Sequence, residues 1–264
     1  MTARRTAFAS FVLAVMLAAL GVASAFAAPR RAPAELLPDL VTRPFDGISI
    51  QTTGDRTLLR FGNTIGNQGL GVLELRPRRR DCDGDGDFTN DRLALQRIYE
   101  DTDGSGAFER GTDLIGRTVE VGCMVFHPAH DHWHLQRFAR YELRSIATDE
   151  VVAASPKVSF CVRDSLPAFT DVPGFQPFAY YGGCARNSIT GLSVGWADFY
   201  AADLPDQDLD VTGLRNGRYC LTSTADPRDG IDEADETNNA ATRLLRLRDG
   251  AVQDLGVSCA PPVP

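Results

Sequence analysis

Lysine is nearly missing from this 264-residue chain: Lys157 is the one lysine among 27 basic residues, and arginine fills every other cationic position. Histidine is equally restricted, since His127, His130, His132 and His134 fall within eight consecutive residues and none occurs elsewhere. The six cysteines include no C-x-x-C pair, which argues against a zinc knuckle or a thioredoxin-type centre. After the first 27 residues no apolar run is long enough to span a bilayer. No long stretch carries a 3.6-residue apolar period, so a helical bundle is not expected. Positive charge is in deficit too. With 35 acidic residues and a net charge of −8, the chain is a poor general nucleic-acid binder and better matched to cationic partners.

What is present begins with a targeting pattern. Arg4 and Arg5 precede an Ala-rich apolar stretch, and Ala25-Phe26-Ala27 offers small-x-small cleavage, so residues 1–27 read as a signal peptide. That predicts a secreted or periplasmic protein, free of the membrane once cleaved. Its even cysteine count, Cys82, Cys123, Cys161, Cys184, Cys220 and Cys259, then reads as disulfides. Residues 28–37 form a Pro- and Ala-rich lead-in expected to be mobile, residues 38–259 one domain, and 260–264 a tail. Short β-like runs at 58–61, 71–75, 119–126, 138–145, 158–162, 219–222 and 242–247 are bounded by Gly, Pro, Asn or Asp. They predict a mainly β, antiparallel sandwich-like domain with long loops, few short helices and disulfides.

Residues 81–113 hold ten acidic side chains in 33 positions and read as a loop-rich insertion. Within it Asp81, Asp83 and Asp85, then Asp101, Asp103 and Ser105, place oxygen ligands at alternate positions before a glycine, the spacing of a calcium loop. Arg92 and Thr112 stand where a twelfth-position glutamate would complete an EF-hand. Residues 226–239 are a second acidic stretch, expected to be a solvated loop.

His130, His132 and His134 are spaced by two. On a strand alternate side chains share a face, so three imidazoles would point one way, whereas a helix would fan them around its axis. Three converging imidazoles suit copper, zinc, nickel or iron, and spacing alone does not choose between copper with dioxygen chemistry and zinc with hydrolysis.

The run around His130-x-His132-x-His134 resembles the copper-binding segment of the lysyl oxidase family, and further blocks follow in the family's order. Pro156-Lys157-Val158-Ser159-Phe160-Cys161 resembles its K-x-S-F-C segment. Gly191-Leu192-Ser193-Val194-Gly195 and Asp198-Phe199-Tyr200-Ala201-Ala202-Asp203 resemble its G-L-S-x-G and D-x-Y-x-A-D blocks, and Thr237-Asn238-Asn239 its T-N-N element. The resemblance implies an exported copper amine oxidase. His130, His132 and His134 would be the copper ligands and His127 an auxiliary histidine. Lys157 and Tyr200 would cross-link into a lysine tyrosylquinone. Primary amines, small or borne by protein lysine, would be oxidised by dioxygen to aldehydes with release of ammonia and hydrogen peroxide. A retained lysine fits, because a neutral amine can add to an oxidised ring while a guanidinium cannot. Asp198 and Asp203 are both close enough in sequence to serve as the base. Ala129 stands where animal members have a cysteine and Trp196-Ala197 where they have Cys-Tyr, so the disulfides are expected to differ, as Cys82–Cys123, Cys161–Cys184 and Cys220–Cys259. Two other readings use the same residues: a non-catalytic secreted metal-binding β-module, and a zinc hydrolase on the same histidines.

Overall fold

The computed structural model describes residues 33–259, apart from 83, 88, 129–130, 156–158, 187 and 257–258. The expected signal peptide and tail therefore lie outside the described residues, as do His130, Lys157 and Asp83. Every regular element among the described residues is a strand. The first six are β1 (Glu35–Leu36), β2 (Leu40–Thr53), β3 (Arg56–Asn67), β4 (Leu73–Arg78), β5 (Asp91–Glu100) and β6 (Leu114–His127). Next come β7 (His132–Gln136), β8 (Ala139–Ser145), β9 (Val151–Ala154), β10 (Ser159–Phe160), β11 (Leu166–Pro167) and β12 (Thr190–Leu192). Last are β13 (Trp196–Tyr200), β14 (Asp208–Asp210), β15 (Gly217–Ala225), β16 (Ala240–Arg248) and β17 (Ala251–Gly256).

They form three antiparallel sheets. One runs β10-β7-β6-β5-β4-β12 with β1 added to β5; the second runs β11-β13-β3-β14 with β2 on β3; the third runs β17-β16-β15-β8-β9. Inward residues alternate along the strands, as in Leu59, Phe61 and Ile65 of β3 or Tyr141 and Leu143 of β8, and meet in one apolar core. Phe61 sits edge-on between Phe45 and Tyr141, with ring centroids 5.1 and 5.0 Å away. Each such side chain removed from water contributes roughly 1.5–3 kcal/mol.

The three disulfides are Cys82–Cys123, Cys161–Cys184 and Cys220–Cys259, the pairing expected from the sequence. Four expectations change. No helix occurs among the described residues, and none there is long and apolar enough to cross a membrane. Part of the lead-in is ordered, because Glu35 and Leu36 pair with Glu100 and Tyr99 and Leu36 is buried. The acidic insertion contains β5, a strand in the middle of its sheet whose apolar residues Leu93, Ala94 and Ile98 are buried between flanking carboxylates. The stretch 226–239 is also more than a solvated loop. Asp226, Glu233 and Asn239 are buried, and Glu233 accepts hydrogen bonds from the Leu40 amide at 2.6 Å and Asn239 Nδ2 at 2.7 Å. The first of these bonds clips the stretch to the start of β2.

Candidate active site

Strands β6 and β7 form a hairpin in which His127 lies directly opposite His132 and Val125 opposite His134. Cross-strand partners share a face and so do residues two apart, so His127, His132 and His134 project together. Asp131 enters β7 with φ of 52°, a left-handed conformation that aspartate tolerates better than branched residues. The Trp133 side chain between the two histidines and Leu135 after them are buried and pin the strand, with Trp133 edge-on to Phe126 at 5.3 Å.

The imidazoles are close together. His132 Nε2 and His134 Nε2 are 2.9 Å apart, and the His127 ring stacks on His134 with centroids 5.2 Å apart. His134 is buried, and its Nδ1 lies 3.2 Å from Ser159 Oγ. Pairing of Ser159 with Gln136 and of Phe160 with Leu135 places β10 against the histidine strand.

Strand β13 supplies the opposite wall. Asp198 and Tyr200 are two apart on it and share a face, while the intervening Phe199 points the other way. The Tyr200 hydroxyl accepts a hydrogen bond from the Cys161 amide at 2.9 Å, and its ring meets Phe160 edge-on at 4.8 Å. Asp198 is buried and accepts from Ser165 Oγ at 2.9 Å. Burial, reinforced by the Asp198 charge and opposed by the Cys161 amide and Arg163, pushes the Tyr200 phenol well above the ordinary tyrosine range. Tyr200 is therefore a neutral phenol at any physiological pH.

These walls enclose a cavity of about 460 Å³ whose lining includes Asp131, His132, His134, Arg163, Asp198 and Tyr200. The Cys161–Cys184 disulfide also lines it. Of the residues singled out from sequence, the structure thus brings His132, His134 and Tyr200 to one chamber, with His127 beside it. It separates the two candidate bases: Asp198 lines the chamber, whereas Asp203 sits exposed in a turn. Ser159, Arg163 and Ser165 were not singled out, since nothing in their spacing marks them.

The calcium-like loops differ from one another. In the first, Asp81 accepts the amides of Gly84 and Gly86, and Asp85 accepts that of Asp87. In the second, oxygens of Asp101, Asp103 and Asp113 lie within 4.8 Å of each other, and Asp101 Oδ1 is buried without a hydrogen-bond partner. Asp113, one place beyond Thr112, was missed by a search for a twelfth-position ligand. Ser105 instead donates its hydroxyl to the Ala107 carbonyl.

A family model described as lysyl oxidase matches residues 109–255, more than half of the chain. Human protein-lysine 6-oxidase is 34% identical over 122 residues, which cover 46% of this chain and 27% of that protein. Human lysyl oxidase homolog 1 is 34% identical over 115 residues, covering 43% of the chain and 19% of the relative. Lysyl oxidase homolog 3B of Danio rerio is 35% identical over 117 residues, covering 44% and 14%. The aligned stretch spans less than a third of each of these relatives. A match over more than half the chain, on a fold that brings His132, His134 and Tyr200 to one chamber, shows that this chain belongs to the lysyl oxidase family.

Proposed function

We propose that this chain is a copper-dependent oxidoreductase that converts primary amines, peptidyl lysine among them, to aldehydes. Each turnover consumes one amine, one dioxygen and one water and yields one aldehyde, one ammonia and one hydrogen peroxide. The observation that carries this reading is the shared chamber of His132, His134, Asp198 and Tyr200. The donor set fits the metal: two imidazole nitrogens 2.9 Å apart cannot both be protonated comfortably, and a nitrogen-rich site suits copper. His130, His132 and His134 would hold it, with His127, which stacks on His134, as an auxiliary residue. Lys157 and Tyr200 would form the quinone. Phe160, three residues after Lys157 in the sequence, meets the Tyr200 ring edge-on. When bound, copper supplies redox chemistry with dioxygen and the quinone supplies an electrophilic carbonyl.

The chain's own side chains do the rest. Asp131 and Asp198 make the chamber attractive to a cationic amine. Asp198, held by Ser165, is the base we assign to removal of the proton from the amine-bearing carbon; exposed Asp203 lacks the placement. Surrounding disulfides and the targeting segment favour a secreted or periplasmic site of action. We also assign a structural calcium ion to Asp101, Asp103 and Asp113, whose carboxylates converge as a hard cation requires.

The test is peptide mapping of protein made with copper and oxygen. A covalent Lys157–Tyr200 species, reactivity with hydrazine-type carbonyl reagents and amine-dependent peroxide release are expected. Separate, unmodified peptides in fully copper-loaded, oxygenated protein would refute the assignment and leave the metal-binding module. Full activity of Lys157→Arg without peroxide would instead establish the zinc hydrolase.

A further inference from the structure

One charge on the chamber wall is at odds with a substrate that is only a cation. Of the charged side chains that line the cavity, Asp198 is buried, whereas Asp131 and Arg163 are exposed and so stand where it opens to solvent. Among the described residues the Arg163 side chain makes no ion pair, hydrogen bond or ring contact, with Asp131 or any other group. Its charge is nevertheless felt at the Tyr200 phenol, where it opposes the upward push of burial and of Asp198.

The main chain that carries this arginine is fixed. Phe160, Cys161, Val162 and Asp164 are buried, which leaves Arg163 the one exposed residue of the run. Cys161 is held by its disulfide to Cys184. The Asp164 carboxylate accepts hydrogen bonds from the amides of Tyr180, Tyr181 and Ser193 and from the Ser193 hydroxyl, at 2.7–3.1 Å. Two residues before Arg163, the Cys161 amide binds the Tyr200 hydroxyl; two residues after it, the Ser165 hydroxyl binds Asp198. A free guanidinium on an anchored backbone thus sits between the supports of the two groups that would act on the amine.

Arginine cannot lose its charge, and its planar fork of N–H donors matches a carboxylate. We propose that Arg163 is a specificity-determining residue that seats a carboxylate of the substrate at the open end of the chamber, while the amine lies deeper, against Tyr200 and Asp198. The substrate class is then a primary amine that carries an anion several bonds from its nitrogen, as a free ω-amino acid does or a peptidyl lysine beside an acidic residue. Leu204 and Pro205 supply apolar wall for the carbons between the two ends. The proposal rests on the amine-oxidase reading and narrows its substrate. Discrimination arises twice, because the seat attracts the anion and the same charge turns away simple amines and diamines.

The test compares ε-aminocaproate with its amide, which differ in charge and hardly in shape. Each is titrated into the metal-free chain by calorimetry and assayed by peroxide release from the copper-loaded enzyme. In the wild type the carboxylate should bind about tenfold tighter than the amide, with the difference in KM rather than kcat, and the advantage should shrink as salt rises. Arg163→Gln, which replaces an exposed and unpaired side chain, should fold and bring both ratios to about one. Arg163→Glu should reverse the preference in favour of cadaverine, a change that a structural role would not produce. Lysine peptides with glutamate or glutamine beside the lysine form a second arm: discrimination there alone assigns the seat to protein substrates, and discrimination between the small pair alone assigns it to free amino acids. Equal binding and equal kcat/KM within both pairs would overturn the proposal, as would a preference that survives Arg163→Gln. Copper-loaded enzyme that releases no peroxide from any of these amines would sink the amine-oxidase reading, while a binding preference lost in Arg163→Gln would still uphold the anion seat.

Discussion

Ser159→Ala is the perturbation that most directly asks how the histidines are held. His134 turns Nε2 toward His132 and Nδ1 toward the Ser159 hydroxyl. A neutral imidazole carries one N–H and one lone pair, so if Nε2 faces the metal, Nδ1 carries the hydrogen and donates it to Ser159. The serine is fixed in turn by the pairing of β10 with β7. Loss of such an outer hydrogen bond lowers metal affinity by roughly 10–100-fold. At 3.2 Å between neutral partners this bond is at the long end, so the expected loss is about tenfold, or ~1.4 kcal/mol. Competition for copper between the metal-free chain and a chromophoric chelator measures it. Ser159→Thr, which keeps the hydroxyl, should restore most of the affinity. A folded Ser159→Ala protein that holds copper within twofold of the wild type would refute the claim that Ser159 sets the metal-facing nitrogen.

Three further outcomes follow from other parts of the structure. Glu74 is buried beneath Arg76, Arg97 and Arg110; burial raises its pKa, but the Tyr181 hydroxyl and the arginines outweigh that and hold it below the usual range. A lowered pKa stabilises the fold fully above the unfolded value near 4.5 and less as pH falls through the folded one, so urea stability should drop in acid. Glu74→Gln should cost ~3 kcal/mol at pH 7, the low end for a broken buried pair because its arginines keep some water contact, and should flatten that acid dependence. Replacing Cys161 and Cys184 with serine opens a loop of 23 residues, which chain entropy prices at about 3.4 kcal/mol; denaturant titration giving under 1 kcal/mol would refute it. Calcium should raise the thermal midpoint of the wild type and not of Asp101→Asn/Asp113→Asn, and equal shifts in both would remove the proposed ion.

Much of this was legible in the sequence because β structure and alternate spacing are linked. The His132-x-His134 spacing states a shared face outright, and Pro128 ahead of it suits a strand entry. Runs such as 138–145 announced β8 by apolar alternation between turn residues. By contrast β5 was hidden, since its Leu93, Ala94 and Ile98 stand among carboxylates whose number dominates the composition. The place of His127 depended on hairpin register, which a turn geometry decides and spacing does not. Choosing Asp198 over Asp203 needed three dimensions as well: five residues separate a buried wall from an exposed turn. Asp113 and Tyr141 carry no local signal, because their meaning lies in partners brought from distant strands.

The Cys161–Cys184 bond ties completion of the chamber to the redox state of its surroundings. Both cysteines line the chamber, and the Cys161 amide and carbonyl both hydrogen-bond the Tyr200 hydroxyl. Reduction of the bond would leave two thiols in that wall and remove the cross-link that anchors the Cys161 amide beneath the phenol. On the amine-oxidase function proposed above, closing this disulfide would work as a safety catch, since the peroxide-producing chamber would be completed only by oxidation.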